Sequence, residues 1–194
     1  MTQSNRYTNV AITLHWLIAV MILFMIFAGW RTDDMRQAML AGDTSVDPMT
    51  VAMLFNWHKT TGLIILALSL FRLIWRLTHK QPALPDGMNA FERFAATATH
   101  WAFYGLMIGM PLGGWVAASA SSFPSFFFNV QSLPIPQLVA DNEAIYSVVA
   151  QVHSKGAWAI LALLALHIAA ALKHHFIDRD DVLTRMVVFL KPKS

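Results

Sequence analysis

The stretch QVHSKGAWAILALLALHIAAALKHH, residues 151–175, decides the fold because it combines an apolar run with two widely spaced histidines. The residues between His153 and His167 include no carboxylate and no thiol. In a helix, 14 residues correspond to a rise of about 21 Å and to a rotation about 40° short of four full turns. The two imidazoles are therefore predicted to share one helix face but to lie near opposite ends of the helix. One metal ion cannot bind both, whereas two separate sites can.

Three further stretches have the same apolar character. The four runs cover about 10–30, 54–77, 96–120 and 145–172, and each is close to the ~20 residues that cross a hydrocarbon core. The chain is 56% hydrophobic and only 13% charged, whereas ordinary soluble domains carry about 25% charged residues. We therefore predict an all-α membrane protein, a four-transmembrane-helix up-down bundle that forms a single domain over residues 1–194. The first run is expected to stay as a span, because no small-residue cleavage site of a signal peptide follows it.

Lys and Arg residues are distributed by membrane side. Cytoplasmic segments carry an excess of Lys and Arg close to the span ends. The first connection has two Arg against four Asp, and the third, SSFPSFFFNVQSLPIPQLVADNEAIYS, has neither Lys nor Arg. Both termini are therefore predicted to be cytoplasmic, and no nucleic-acid partner is expected. The inner segments contain the basic residues Arg6; Arg72, Arg76, Lys80 and Arg93; and Lys173, Arg179, Arg185, Lys191 and Lys193.

Depth in the membrane pairs four of the eight histidines. With this topology, His15 lies near the cytoplasmic end of span 1, at the depth of His167 in span 4. His58 begins span 2 from the outer side, at the depth of His153. Ionisable groups inside a membrane are costly and usually mark function. The sequence therefore predicts an inner pair and an outer pair of imidazoles, with one member of each pair in span 4.

The chemistry of the two pairs favours haem over zinc. Zinc takes four ligands, or three and a water, so two histidines without a third donor make a poor zinc site. A haem supplies four equatorial nitrogens and needs only axial ligands from the protein. The chain has no cysteine, which excludes iron–sulfur clusters and thiol-attached haem. We therefore predict two haems, an inner one bound by His15 and His167 and an outer one bound by His58 and His153.

Other polar residues near the span ends have less certain roles. His100, near the cytoplasmic end of span 3, could replace His15 or His167, or could hydrogen-bond a propionate or a quinone. Haem propionates need cationic partners, and the candidates are Arg72 and Arg76 for the inner haem and Lys59 and Lys155 for the outer one. Ordinary snorkelling of these bases is the alternative. The candidates for a quinone site at the inner end are His100, Lys173, His174, His175 and Asp178, and the alternative for the residues after span 4 is that they anchor the helix end.

Four segments resemble a known family over nearly the whole chain. ITLHWLIA, FNWHKTTGLIILALSLFRLIWR, THWAFYGLMIGMPLGGW and VHSKGAWAILALLALHIAAALKHHF are similar to the bacterial cytochrome b561 family. The resemblance implies a four-helix protein of the bacterial inner membrane with two haem b groups and the same ligand pairs. Some members resemble superoxide oxidase, which takes electrons from periplasmic superoxide and reduces ubiquinone. Others pass electrons between a partner protein and quinone.

Two functions remain open at this point. The first is a superoxide:quinone oxidoreductase, in which Lys59 and Lys155 attract the small anion, although the acidic outer connections oppose this attraction. The second is a haem-containing membrane anchor that relays electrons between a periplasmic oxidoreductase and the quinone pool. The apolar, Pro-rich third connection could then be the docking surface, or it could lie along the outer interface as a lid. A transporter with histidines as proton relays is disfavoured, because the spans contain no carboxylate and no break.

Overall fold

Four long helices make up most of the protein in a computed structural model, which describes residues 6–187, 189 and 190. They are α1 (Asn9–Leu40), α2 (Pro48–Thr78), α3 (Ala90–Ala120) and α4 (Glu143–Lys173). Each is long and apolar enough to cross a membrane. Consecutive helices pack against one another, α1 on α2, α2 on α3 and α3 on α4. The predicted all-α, four-span fold is confirmed, while the orientation of the termini stays a prediction.

Each helix begins at a side chain that accepts hydrogen bonds from the first turn. Thr8, Asp47, Asn89 and Asn142 act in this way for α1, α2, α3 and α4. Such caps satisfy backbone N–H groups that have no partner within the helix. At α2, hydrogen bonds from the Thr50 side chain and from the backbone N–H groups of Thr50 and Met49 lower the pKa of the Asp47 carboxyl. The cap of α2 is therefore a charged carboxylate at neutral pH.

The helix α1 continues well beyond the apolar run that predicted it. Its C-terminal end includes residues 31–40, a largely polar segment where hydropathy alone predicts a loop. The Asp33 carboxylate accepts hydrogen bonds from Arg36 and Gln37, three and four residues later. Pairs at this spacing lie on one helix face and support helical structure in water. The span therefore ends near Trp30, although the helix does not.

The apolar residues buried inside the bundle form two small clusters. One cluster of buried apolar residues joins α1 and α2 through Leu14, Ile18, Met25 and Ile65. A second joins α1 and α4 through Ile26, Ala157 and Ile160. In the most apolar window of α4 only 11% of the residues are buried inside the protein. Most apolar side chains of α4 therefore face outward, as lipid-facing side chains do.

The connection between α3 and α4 folds back over the start of α2, at the end of the bundle that is predicted to face outward and that we call the outer end. The backbone N–H groups of Phe126 and Phe128 donate to Asn56 Oδ1 and Thr60 Oγ1, at 3.1 and 3.0 Å. Asn56 and Thr60 are both buried, and the connection supplies hydrogen-bond donors to these two polar side chains of α2. The connection therefore packs on the outer end of α2.

The segment after α4 folds back over the opposite end of the bundle, which is predicted to face the cytoplasm and which we call the inner end. The α4 helix continues as one π-helical turn, His174–Asp178, and a short 3₁₀ turn follows at Leu183–Arg185. The Arg6 guanidinium donates to the carbonyl groups of Thr184 and Val187. The indole N–H of Trp16 donates to the carbonyl of Met186 at 2.9 Å. These bonds attach the C-terminal segment to the start of α1.

Candidate functional site

The outer pair of histidines joins α2 and α4. The ring centroids of His58 and His153 lie 6.1 Å apart, with an angle of 77° between the ring planes. Nδ1 of His153 lies 2.9 Å from the carbonyl oxygen of Met110 on α3. A carbonyl only accepts hydrogen bonds, so Nδ1 carries the proton and Nε2 keeps its lone pair. An imidazole whose far nitrogen is fixed by a backbone carbonyl is the usual form of a metal-binding histidine.

Two glycines lie directly against these rings. A Cβ atom added at Gly29 of α1 would lie 2.9 Å from Cε1 of His58, and one added at Gly114 of α3 would lie 2.9 Å from Cε1 of His153. Such contacts are too close for any side chain, so only glycine leaves room for the imidazoles at these two positions. Nδ1 of His58 is buried and has no hydrogen-bond partner in the described part of the chain. The His58 ring therefore packs against the backbone of α1, and the His153 ring packs against the backbone of α3.

A cavity lies beside the outer pair. His58, Lys59, Gly114 and His153 line it, together with Ile135 from the α3–α4 connection. The Lys59 ammonium donates to Ser125 Oγ of the same connection at 2.7 Å. The cavity thus combines two imidazoles, a lysine and apolar walls. Lys155, the other predicted cation at this end, is exposed and does not line the cavity.

The inner histidines form a group of three. The ring centroids of His15 and His167 are 6.3 Å apart, and those of His100 and His167 are 5.9 Å apart. The Arg72 guanidinium on α2 is close enough to all three imidazoles to interact with them electrostatically. The inner end therefore brings together histidines from α1, α3 and α4 beside an arginine from α2.

Tyr104 orders the two inner arginines. The Arg72 Nε lies 3.4 Å from the Tyr104 hydroxyl oxygen, and the Arg76 guanidinium lies over the Tyr104 ring, 5.8 Å from its centroid. Tyr104 is itself buried. Both predicted propionate partners of the inner site thus lie at the inner histidine group.

The ring separations fit a metal bound between two imidazoles. A metal that binds one nitrogen from each of two opposed imidazoles, with bonds of about 2 Å, holds the ring centroids roughly 6 Å apart. The separations of 6.3 and 6.1 Å in the two predicted pairs match this value. The nitrogen-only donor sets, without carboxylate or thiolate, fit the axial positions of haem b. Because the His100–His167 separation is also close to this value, distance alone leaves His100 as an alternative ligand.

The residues after α4 form a polar cluster. The Lys173 ammonium donates to Glu92 Oε1 at 2.8 Å and to Asp178 Oδ2 at 2.7 Å. His174 is buried, and its Nδ1 lies 2.7 Å from Asp180 Oδ2 and 3.0 Å from Asp178 Oδ2. The structure thus brings Lys173, His174 and Asp178 together and places His175 on the same π-helical turn, while a quinone site at this cluster stays a prediction.

Four residues at these sites were not predicted from the sequence. Asp180 and Glu92 belong to the polar cluster, and Gly29 and Gly114 to the outer pair. The spacing of Asn89 and Glu92 is that of a capping box, so Glu92 could have been placed at the start of α3, but not its contact with Lys173. Asp180 follows Asp178 by two residues, and no sequence pattern predicts that both reach the same imidazole.

The chain is similar to one known family of proteins over almost its whole length. The model of the prokaryotic cytochrome b561 family matches residues 6–188. Cytochrome b561 homolog 2 of Escherichia coli (strain K12) is 27% identical over 191 residues, which cover 94% of this chain and 92% of the relative. The probable superoxide oxidase CybB of Yersinia pestis is 24% identical over 185 residues, covering 94% of this chain and 96% of the relative. The chain therefore belongs to the prokaryotic cytochrome b561 family and is a multi-pass electron-transfer protein of the bacterial inner membrane that binds haem b.

Proposed function

We propose that the protein binds two haem b groups and oxidises periplasmic superoxide while reducing ubiquinone. The observation that carries the proposal is the presence of two imidazole pairs, His58–His153 and His15–His167, each with one member on α4 and with a ring separation that suits axial ligation. The two members on α4 are separated by about 21 Å along the helix. A further support is the similarity to a relative named as a probable superoxide oxidase.

The outer end receives superoxide in this proposal. Lys59 lines the cavity that also contains His58 and His153, and its ammonium gives this cavity a positive charge. A positive group within a cavity with apolar walls concentrates a small anion there. Superoxide gives up one electron and leaves as O₂, which is uncharged and no longer attracted to Lys59. Lys155 serves as a more exposed cation at the same end.

The bound haems supply one-electron transfer between the outer and inner ends. Of the residues near them, Met110 fixes the tautomer of His153 through its carbonyl. Arg72 and Arg76, ordered by Tyr104, provide the positive charge that anionic propionates need at the inner end.

The inner end reduces ubiquinone. Two electrons and two protons convert one ubiquinone into ubiquinol, and two superoxide ions supply the electrons. The protons come from the cytoplasmic side, where Lys173, His174, His175 and Asp178 lie at the end of α4. His100 of α3, whose ring lies beside that of His167 of α4, donates a hydrogen bond to a quinone oxygen in this proposal. Histidine is the side chain best suited to proton transfer at neutral pH.

A stopped-flow experiment tests this function. The purified, oxidised holoprotein is mixed with superoxide, and the absorbance of reduced haem is followed with and without a short-chain ubiquinone. We expect rapid haem reduction that superoxide dismutase abolishes, followed by reoxidation only when ubiquinone is present. If superoxide does not reduce the haems, and a protein that co-purifies in mild detergent does, the chain is instead the relay of a partner oxidoreductase.

A further inference from the structure

We propose that Asp180 and His174 form a carboxylate–imidazole pair that delivers protons to the quinone, with Asp180 as the residue that positions His174. The inference rests on the proposed quinone reduction at the inner end and goes beyond it by assigning the proton donor and its partner. His174 is the most buried of the three side chains that meet after α4. The His174 side chain is 10% exposed, whereas those of Asp178 and Asp180 are 29% and 20% exposed.

The backbone after α4 is folded so that Asp180 returns to His174. The π-helical turn ends at Asp178, and Arg179 follows in the left-handed conformation with φ 58°. The backbone N–H groups of Arg179 and Asp180 both donate to the carbonyl oxygen of His174. A left-handed residue after a helix reverses the chain direction. This reversal brings a side chain six residues later in the sequence to the imidazole.

The Asp180 carboxylate is fixed through both of its oxygens. Oδ2 accepts from Nδ1 of His174 at 2.7 Å, and Oδ1 accepts from the backbone N–H of Val182 at 3.0 Å. Because the carboxylate accepts at Nδ1, that nitrogen carries a proton, and Nε2 is the atom at which His174 exchanges protons. The carboxylate places a negative charge beside this imidazole, and an amide at the same position would remove that charge.

The other charged groups around His174 are already matched with one another. Asp178 Oδ2 lies 3.0 Å from Nδ1 of His174, but the same oxygen accepts from the Lys173 ammonium at 2.7 Å. Lys173 also binds Glu92 of α3, which is close enough to His174 to interact with it electrostatically. Lys173 thus lies between two carboxylates and offsets part of their charge. Asp180 contacts the imidazole of His174 directly, at 2.7 Å.

His174 passes protons to the quinone through Nε2. For each proton delivered, the Nε2–H bond of the charged imidazole breaks and an O–H bond forms on the quinone. The neutral imidazole then takes a proton from water at the inner surface. Two such transfers accompany the two electrons that two superoxide ions supply, giving one ubiquinol and two O₂. Asp180 keeps its negative charge throughout and does not itself transfer the proton.

The test compares variants of the holoprotein. Prereduced protein is mixed with a short-chain ubiquinone over a range of pH, and haem oxidation is followed. Wild-type oxidation is expected to slow as the pH rises. With Asp180→Asn we expect a rate at neutral pH roughly tenfold lower, in the range typical of impaired acid catalysis, and a midpoint moved to lower pH. Asp180→Glu should keep most of the wild-type rate. Asp86→Asn, an exposed carboxylate of the inner connection, is the matched control and should behave as wild type.

A second readout is independent of quinone. Diethyl pyrocarbonate modifies neutral imidazole, and peptide mass spectrometry reports the modification of His174 as a function of pH. Asp180→Asn should move the half-maximal modification to lower pH, and Asp178→Asn should move it less. If Asp180→Asn lowers haem content, Asp180→Ser replaces it, because a serine hydroxyl can still accept from the Val182 N–H.

The outcomes separate this inference from the function on which it rests. If wild-type protein does not reduce quinone, both are overturned. If it does, and Asp180→Asn has wild-type pH profiles in both measurements, the pair is overturned and the function stands. An effect of Asp178→Asn as large as that of Asp180→Asn would also overturn the assignment of Asp180.

Discussion

At the residue scale, the absence of a side chain at Gly29 and Gly114 determines where the outer imidazoles can lie. Gly29→Ala and Gly114→Ala would each put a methyl group 2.9 Å from a histidine ring carbon. The displaced ring would lose its axial position, so we expect each variant to lower the haem content from two per chain toward one. Haem content is measured from the pyridine haemochrome spectrum and the protein concentration.

Gly105→Ala is the control for these two variants. Gly105 also lies within α3, but a Cβ there meets no atom within 4 Å. Alanine is favoured over glycine in helices by roughly 1 kcal/mol, so this variant should keep full haem content. Full haem content with unshifted absorbance in both Gly29→Ala and Gly114→Ala would contradict the idea that these glycines position the ligands.

His100 is the residue at which the inner site stays ambiguous by distance. Its ring lies 5.9 Å from that of His167, slightly closer than the His15 ring at 6.3 Å. We expect His100→Ala to keep both haems and to slow quinone reduction, whereas His15→Ala should lose the inner haem. The measurement is the haem spectrum of each variant beside its rate with ubiquinone. Loss of the inner haem from His100→Ala but not from His15→Ala would reverse the assignment.

At the scale of the helices, the cap of α2 makes stability depend on pH. Hydrogen bonds from Thr50 and Met49 lower the pKa of Asp47 in the folded protein. The charged carboxylate therefore favours the folded state above the pKa of the unfolded chain, and this contribution is lost as the pH falls through the lower, folded value. Asn also caps helices, so Asp47→Asn isolates the effect of charge.

We expect wild-type protein to be more thermally stable than Asp47→Asn at neutral pH, with the difference shrinking as the pH falls below about 4. The measurement is the melting temperature of the detergent-solubilised holoprotein over this range. A difference that is constant with pH, or that grows in acid, would contradict the role of the charged cap.

Two features of the helices and their ends could not be predicted from the sequence. Hydropathy located each span, because the bilayer requires about 20 apolar residues, but it could not show that α1 continues in water to Leu40. That extension depends on the contacts of Asp33 with Arg36 and Gln37. The contact of Asp180 with His174 depends on a left-handed Arg179. Arginine has no particular preference for that conformation, so the reversal could not be predicted.

At the scale of the whole molecule, depth within the membrane carries most of the information about the site. Residue number along a span gives depth directly at about 1.5 Å per residue, so the sequence could predict that His58 meets His153 and that His15 meets His167. It could not predict the lateral neighbours, because helix rotation depends on packing. The proximity of His100, the approach of Gly29 and Gly114 and the contact of Lys59 with Ser125 all depend on such packing.

The two ends of the bundle are closed by different segments. The α3–α4 connection covers the outer end through Asn56, Lys59 and Thr60. The C-terminal segment closes the inner end, where Arg185 binds Asp181 and the carbonyl of Ala83. The two covers are separate segments of the chain, so each can be altered without touching the other.

The central claim is that one chain holds two haems through two separate histidine pairs, and the haem-to-protein ratio of the ligand variants tests it most directly. We expect a ratio of two for fully loaded wild-type protein. His58→Ala or His153→Ala should retain one haem, and His15→Ala or His167→Ala should retain the other, with the two remaining haems differing in absorbance maximum or reduction potential. A ratio of one for wild-type protein, or loss of the same haem from all four variants, would contradict the account.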